Sequence, residues 1–335
     1  MLTSVSANEQ ADVVGEQDED FTERVTGLLD RIEERLAQAA VAETAFVTEA
    51  AQHTINAGGK RFRPLLVVLA ALLADEVDED ALVRAALVME LTHVASLYHD
   101  DVMDEAQVRR GAPSANHRWD NTVAILVGDF LFSRASSIVA TLGTDYVELQ
   151  AATFARLVQG QIAETRGPLE GDPLDHYLRV LEDKTGSLIA ASAIFGGMVA
   201  GVADTELAAL AAYGEEIGVV FQLSDDIIDI ASDDSGKTPG TDLRAGVPTL
   251  PILLARRSAD PADARLLSLL EADLSADADL TEALELMRSH PAMAEARREI
   301  HRRAEVARGY LAPLPEGPAK RALDALCDGV ISRSS

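Results

Sequence analysis

Three segments of this chain, at about 80–105, 121–141 and 204–232, run for some 20 residues or more with almost uninterrupted Leu, Val, Ala and Ile. A helix that is apolar all round has no face for water and must sit in the middle of a bundle. Apolar residues recur at three- and four-residue spacing through most of the remaining chain, β-branched runs are short, and aromatics make up only 4%. This periodicity predicts an all-α protein. Further helices are expected at about 20–39, 43–57, 61–74, 145–166, 173–183, 186–202, 248–258, 279–289, 291–312 and 317–331, separated by Gly- and Pro-containing breaks. There is no internal repeat and no long linker, so a single large helical bundle over 20–335 is the economical organisation.

Charge and cysteine content narrow the function. The 335 residues include 56 acidic against 29 basic side chains, a formal net charge of −27, and such a surface repels polyanions, so nucleic acid is excluded as a partner. The one cysteine, Cys327, can form neither an intramolecular disulfide nor a cysteine-cluster metal site, which predicts a cytoplasmic location. Residues 1–19 have neither a basic start nor an apolar run and are expected to be a disordered acidic tail. The uncharged stretch from Thr185 to Ala203 is long enough to raise the question of a membrane span, but its Ala, Gly and Ser content and lack of aromatic anchors favour a buried helix.

In helices this apolar, the few charged positions are the informative ones. Asp-Asp-x-x-Asp occurs twice: Asp100, Asp101 and Asp104 end one central helix, and Asp225, Asp226 and Asp229 lie near the end of another. The first and fifth positions share a helix face, so Asp100 stacks with Asp104 and Asp225 with Asp229. Like charges so placed cost roughly 0.2–0.5 kcal/mol per pair, and acids near a helix C-terminus oppose its dipole at a further cost of about 0.3–1 kcal/mol each. A bound cation would relieve both penalties. Oxygen ligands without His or Cys suit Mg2+, which binds through one or two carboxylates plus waters and substrate phosphates.

Cations gather around these acids although the chain has few lysines, only Lys60, Lys184, Lys237 and Lys320. Gly58-Gly59-Lys60-Arg61-Phe62-Arg63-Pro64 places three of them on a turn entering a helix, a common way to hold a phosphate. Arg109 and Arg110 follow the first aspartate cluster, and arginine is the preferred residue for diphosphate recognition. Lys184 and Lys237 fall at further helix junctions. The combination predicts a phosphorylated substrate held through metal.

These residues, in this order, resemble the trans-isoprenyl diphosphate synthase, or polyprenyl synthetase, family. The matching motifs are GGKRFRP at Gly58 to Pro64, HDDVMDEAQVRRG at His99 to Gly111, GDFLF at Gly128 to Phe132, QGQ at Gln159 to Gln161, KTGSL at Lys184 to Leu188, FQLSDDIIDI at Phe221 to Ile230 and GKTPGTDLRAG at Gly236 to Gly246. The resemblance implies the isoprenoid synthase fold, a bundle around a central cavity, usually as a homodimer with the two aspartate-rich helices facing each other. It implies that Asp100, Asp104 and Asp225 ligate three Mg2+ per active site, with Asp101, Asp226 and Asp229 in support. Arg109, Lys184, Thr185, Gln222 and Lys237 would serve the allylic diphosphate, and Lys60, Arg63, His93 and Arg110 the isopentenyl diphosphate. One departure stands out: Gly246-Val247-Pro248-Thr249 replaces the Gly-Lys-x-Thr of many relatives, which removes one expected phosphate contact.

The implied reaction is Mg2+-dependent prenyl transfer. Pyrophosphate leaves an allylic substrate, the isopentenyl double bond attacks the resulting cation, and loss of a proton ends each head-to-tail addition. Counting back from Asp100, Ser96, Thr92 and Met89 lie one, two and three turns deeper on the same face, with Ala95 beside Ser96. A turn rises about 5.4 Å, comparable to one isoprene unit. The small Ala95 and Ser96 predict an open tunnel and a long-chain product, floored by Met89 or Phe132, for quinone side chains or other isoprenoids. Peripheral membrane contact during product release is left open. A farnesyl or geranylgeranyl diphosphate synthase is the alternative, while a class I terpene cyclase would lack the second Asp-Asp-x-x-Asp and a non-catalytic subunit would have lost aspartates.

Overall fold

The computed structural model describes residues 19–231 and 239–332. The expected acidic tail therefore lies outside the described residues except for Glu19, the first residue of a helix. The described chain is helical apart from one small ribbon, and its residues group into two compact units.

The first unit contains the chain up to Ala155, Leu188–Ala211 and Pro313–Ala325. It begins with α1 (Glu19–Ala39), α2 (Ala45–Asn56), α3 (Phe62–Ala71) and α4 (Glu79–Met103), followed by the strands β1 (Val108–Arg109) and β2 (Ala112–Pro113). Then come α5 (Ala115–Arg118), α6 (Asn121–Val139) and the first half of α7 (Thr144–Arg166). The Asp78 side chain starts α4 by accepting from the Asp80 and Ala81 amides, and Glu79 and Asp80 in the first turn favour the positive end of the dipole. As its sequence requires, α4 is the hub: it packs along α6 and also against α3 and α1. Tyr98, fully buried on α4, ties α2 to it by donating to the Ala50 carbonyl and accepting from the Thr54 amide.

The second unit contains Arg156–Ser187, Ala212–Ala312 and the chain from Leu326. In it, α8 (Pro173–Leu181) runs without a break into a π-helical turn, Glu182–Gly186, where α9 (Ser187–Ala200) begins. The long α10 (Asp204–Ala231), in this unit from Ala212 on, carries the second aspartate motif, followed by α11 (Thr241–Ala245), α12 (Leu250–Ala255), α13 (Ala264–Leu270), α14 (Asp277–Ser289), α15 (Pro291–Tyr310) and the last part of α16 (Pro318–Ser332). Within this unit α12 packs on α15, and α13 on α14.

One local outcome bears out the sequence expectation, and two features were not among the expected elements. The stretch after Thr185 forms a largely buried helix of 14 residues, too short to cross a bilayer. Arg109 and Arg110 do not continue the helical rise from Asp104 but form a hairpin, in which Val108 pairs with Pro113 and Arg109 with Ala112. Its two-residue turn has positive φ at both positions, 54° at Arg110 and 76° at Gly111, the geometry that suits the twist of paired strands. Finally, the short helices α5, α11 and α13 were not among the expected elements.

Candidate active site

The second aspartate of each motif turns inward. Successive helical residues point about 100° apart, so when the first and fifth positions face outward the second faces the core. On α4, the Asp101 side chain is fully buried, and its Oδ1 accepts from Nε and Nη2 of Arg109, each at 2.6 Å. Its backbone carbonyl accepts from Asn116 Nδ2 at 3.0 Å and from the Ala106 amide at 2.9 Å, which pins the hairpin beneath the motif. Burial raises the Asp101 pKa, opposed by the Arg109 guanidinium. On α10, Asp226 is likewise buried, and its Oδ2 accepts from the Tyr177 hydroxyl and lies 3.5 Å from the Leu250 amide. Burial pushes the Asp226 carboxyl up to about 7; the Tyr177 hydroxyl opposes that rise and the nearby Asp242 adds to it.

The remaining aspartates divide further. Asp100 and Asp225 are half-buried, and Asp104 is exposed at the end of α4, where its amide donates to the Asp100 carbonyl at 2.8 Å. Asp229 accepts from the Thr241 amide at 3.1 Å through Oδ1 and from the Asp242 amide at 3.0 Å through Oδ2, so it caps α11. Among the described residues no three acidic, His or Cys side chains converge as a ready cation cage. One or two outward carboxylates per motif fit Mg2+, which retains waters and takes oxygens from a substrate phosphate.

Beside the first motif, the three cations of the Gly-Gly turn separate by role. Arg61 sits in the left-handed region at φ 46° and points inward. It donates to Glu33 at 2.6 and 2.7 Å and to the buried Glu90 at 3.0 Å, so it is a structural tie. Arg63, on the first turn of α3, has a buried Nε without a hydrogen-bond partner. Burial, countered by Glu90 and reinforced by Arg110, brings its pKa down to about 10, so it remains a cation at neutral pH. A charged, incompletely satisfied guanidinium of this kind fits a phosphate. Lys60 is exposed on the same turn.

Arg110 lies against Gly59, where a Cβ would come within 2.8 Å of its Cζ, and it donates to the Thr54 carbonyl at 3.0 Å and to the Gly58 carbonyl. Gly59, at φ 150°, has a backbone conformation that favours glycine. His93 lies among these groups on α4. Burial, followed by the fields of Arg63, Arg110, Arg61 and Arg109, holds it well below the ordinary histidine range, so it is a neutral imidazole at physiological pH. Lys60, Arg63, His93 and Arg110 thus belong to one cationic corner of the first unit.

Lys184 and Thr185 sit on the π-turn, and Lys184 Nζ is paired with Glu164 of α7. Gln222, on α10, hydrogen-bonds Asp226 one turn along the helix. Lys237 lies outside the described residues. Of the residues proposed to set chain length, Met89, Thr92, Ala95 and Ser96 are all buried on α4, and Gln150 of α7 donates to Thr92 at 3.2 Å. The Phe132 ring lies 5.9 Å from that of His99, the neighbour of Asp100, and 4.2 Å from that of Phe154. Gly128 lets α6 approach there, since a Cβ would meet His99 Nε2 at 2.3 Å.

Comparison with known proteins identifies the family and the fold. Residues 44–287 match the sequence model of the family described as Polyprenyl synthetase. The chain belongs to the polyprenyl synthetase family. It is 52% identical over 284 residues to a nonaprenyl diphosphate synthase of Mycobacterium tuberculosis, covering 84% of this chain and 85% of that one. A dimethylallyltranstransferase of the same organism is 39% identical over 316 residues, 94% of this chain and 97% of that one. The crystal structure of a geranylgeranyl pyrophosphate synthase from Corynebacterium glutamicum, complexed with calcium and isoprenyl diphosphate, superposes with a TM-score of 0.85. It is 42% identical and covers 95% of this chain and 98% of its own. The protein is therefore a prenyltransferase with the isoprenoid synthase fold.

Sequence reasoning missed several residues that brace the candidate site residues. Glu90 was detectable as the one acid in the apolar middle of α4, but Tyr177, Asn116 and Arg156 carry no local signal. Gly128 and Gly160 lay inside recognised motifs without an assigned role.

Proposed function

We propose that this polyprenyl synthetase is a long-chain all-trans polyprenyl diphosphate synthase that adds isopentenyl diphosphate repeatedly, head to tail, to an allylic diphosphate. The observation that carries the reading is the common geometry of the two aspartate motifs: outward first positions, and second positions locked to Arg109 and to Tyr177. Asp100, Asp104 and Asp225 would hold Mg2+, three per active site, with Asp101, Asp226 and Asp229 fixing the helices and the α11 cap around them. When bound, Mg2+ supplies charge stabilisation for the departing pyrophosphate.

The chain's own residues do the rest. Arg109, Lys184, Thr185, Gln222 and Lys237 serve the allylic diphosphate, and Arg109 is held on a rigid hairpin for that purpose. Lys60, Arg63, Arg110 and neutral His93 bind the diphosphate of the isopentenyl substrate, and apolar side chains exclude water from the reactive cation. The identity to the nonaprenyl synthase and the small Ala95 and Ser96 support a long product. The position of Phe132 beside His99 is the observation that favours a shorter, geranylgeranyl-type product.

A homodimer is supported by α6, which is apolar along its length yet leaves Ile125 and Leu126 exposed, and by exposed Val147 on α7. Such a face is best covered by a second copy of the chain. A cytoplasmic location is supported by the single buried cysteine. Pyrophosphate release that requires both farnesyl and isopentenyl diphosphates and is abolished by a chelator tests the proposed reaction. Release from the allylic diphosphate alone would point to a cyclase.

A further inference from the structure

Within the second unit, one face of α7 grips the π-turn at three successive helical levels. At the first, Arg156 donates through Nε to Asp183 Oδ1 at 2.5 Å and through Nη2 to Glu215 of α10. At the second, Gly160 leaves room for the turn itself: a Cβ there would lie 2.7 Å from the Lys184 amide nitrogen and 2.9 Å from Asp183 Cβ. At the third, Glu164 pairs with Lys184 Nζ. Residues four apart lie one above another on a helix, so these levels form a single stripe.

The turn is gripped from its other side as well. Added to Gly186, a Cβ would come within 3.2 Å of the Glu215 carbonyl, so α10 also passes close to the turn. The Ser187 amide donates to the Glu182 carbonyl five residues back, which sets one wide turn into an otherwise α-helical run. Such turns are rare and recur at functional sites, because they reorient a side chain at the expense of regular hydrogen bonding. Here the reoriented side chains are Lys184 and Thr185. The turn also brings Asp183 close to Glu215, and Arg156 is the cation that bridges these two acids.

We infer that Arg156 is a positioning residue for the allylic diphosphate, acting through Asp183 and Glu215 to keep the π-turn wound and Lys184 in place. The inference rests on the proposed role of Lys184. Without Arg156, the ion-pair bridge between Asp183 on the turn and Glu215 on α10 is lost, the turn relaxes toward regular helix, and Lys184 rotates away from its ligand.

Steady-state kinetics of the full-length enzyme test this with Arg156→Met, Arg156→Lys, Asp183→Asn, Lys184→Ala and the Arg156→Met/Lys184→Ala double variant. Arg156→Met is expected to raise the allylic KM about tenfold, as displacement of a positioned group does, and to leave the isopentenyl KM within about twofold. Asp183→Asn, which removes the same contact from the other side, reproduces the effect, and Arg156→Lys restores most of the affinity. In the double variant the two effects do not add, because both act through one side chain. A raised allylic KM in Lys184→Ala with an unchanged one in Arg156→Met and Asp183→Asn overturns the inference alone. An unchanged allylic KM in Lys184→Ala overturns the role of Lys184 and the inference with it. Additive effects, or equal rises in both substrates' KM values, assign Arg156 to general stability and also overturn it.

Discussion

Gly196 stands where α9 crosses α3, and its replacement by alanine gives a perturbation whose size follows from the contacts. An added Cβ would lie 2.3 Å from the Val67 carbonyl oxygen, 2.7 Å from Ala70 Cβ and 3.0 Å from the Ala71 amide nitrogen. Two of these atoms are backbone, so no side-chain rotation relieves the clash. A carbon–oxygen contact needs about 3.3 Å, so the two helices must part by about 1 Å at this point. Overpacking of this kind costs about 1–3 kcal/mol, partly offset by the roughly 1 kcal/mol by which alanine exceeds glycine in helix propensity. At roughly 2–4 °C per kcal/mol, Gly196→Ala should lower Tm by a few degrees. Val67 is also one turn from Arg63 on α3, so the displacement should reach the isopentenyl corner. Thermal unfolding and steady-state kinetics on one preparation check both effects: a lower Tm with a several-fold higher isopentenyl KM. A Tm equal to or above that of the wild type would refute the helix contact and the argument built on it.

Asp100→Asn or Asp225→Asn should cut turnover by orders of magnitude without unfolding the protein, measured as pyrophosphate release and helical circular dichroism; activity within a few-fold of wild type would remove that residue from the metal site. Lys60→Ala and Arg63→Ala should mainly raise the isopentenyl KM, whereas a rise in the allylic KM would reverse the assignment of the two sites. For His93, the folded pKa lies below the unfolded value of about 6.5, so its contribution to stability is present above pH 6.5 and is lost as pH falls toward the folded value. Denaturant titrations of wild type and His93→Gln should therefore shift in favour of the variant between pH 7 and about pH 5, and a constant difference would count against a buried neutral imidazole. Ala95→Phe should block the tunnel near its top and shorten the main product to about farnesyl or geranylgeranyl length, checked by chromatography of the dephosphorylated products; an unchanged distribution from a folded, active variant would place the tunnel elsewhere.

Where the sequence was legible, periodicity was the reason. The faces of Asp100 and Asp104 follow from helical spacing alone, and so does the central place of α4. The inward turn of Asp101 and Asp226 follows from the same spacing, but their partners do not. Tyr177 is 49 residues from Asp226, and Arg109 reaches Asp101 only because Arg110 and Gly111 take positive φ in a hairpin. The Gly-Gly turn showed three cations but not that Arg61 is taken up in ion pairs with Glu33 and Glu90. The π-turn appeared in the sequence only as a break between two helices, since a one-residue widening leaves no periodic trace over five residues. Phe132 was offered as a floor because it is an aromatic on a neighbouring apolar helix, and spacing alone did not show its ring contact with His99. Contacts across long separations in sequence account for most of what periodicity could not supply.

The central claim, that the chain makes a long all-trans polyprenyl diphosphate, is tested most directly by product length. Farnesyl diphosphate, labelled isopentenyl diphosphate and Mg2+ are incubated with the full-length protein, the products are dephosphorylated, and the alcohols are separated by reversed-phase chromatography. The account predicts a principal all-trans polyprenol well beyond geranylgeraniol in length. A product that stops at geranylgeraniol, a cyclised hydrocarbon, or no labelled product at all would contradict it.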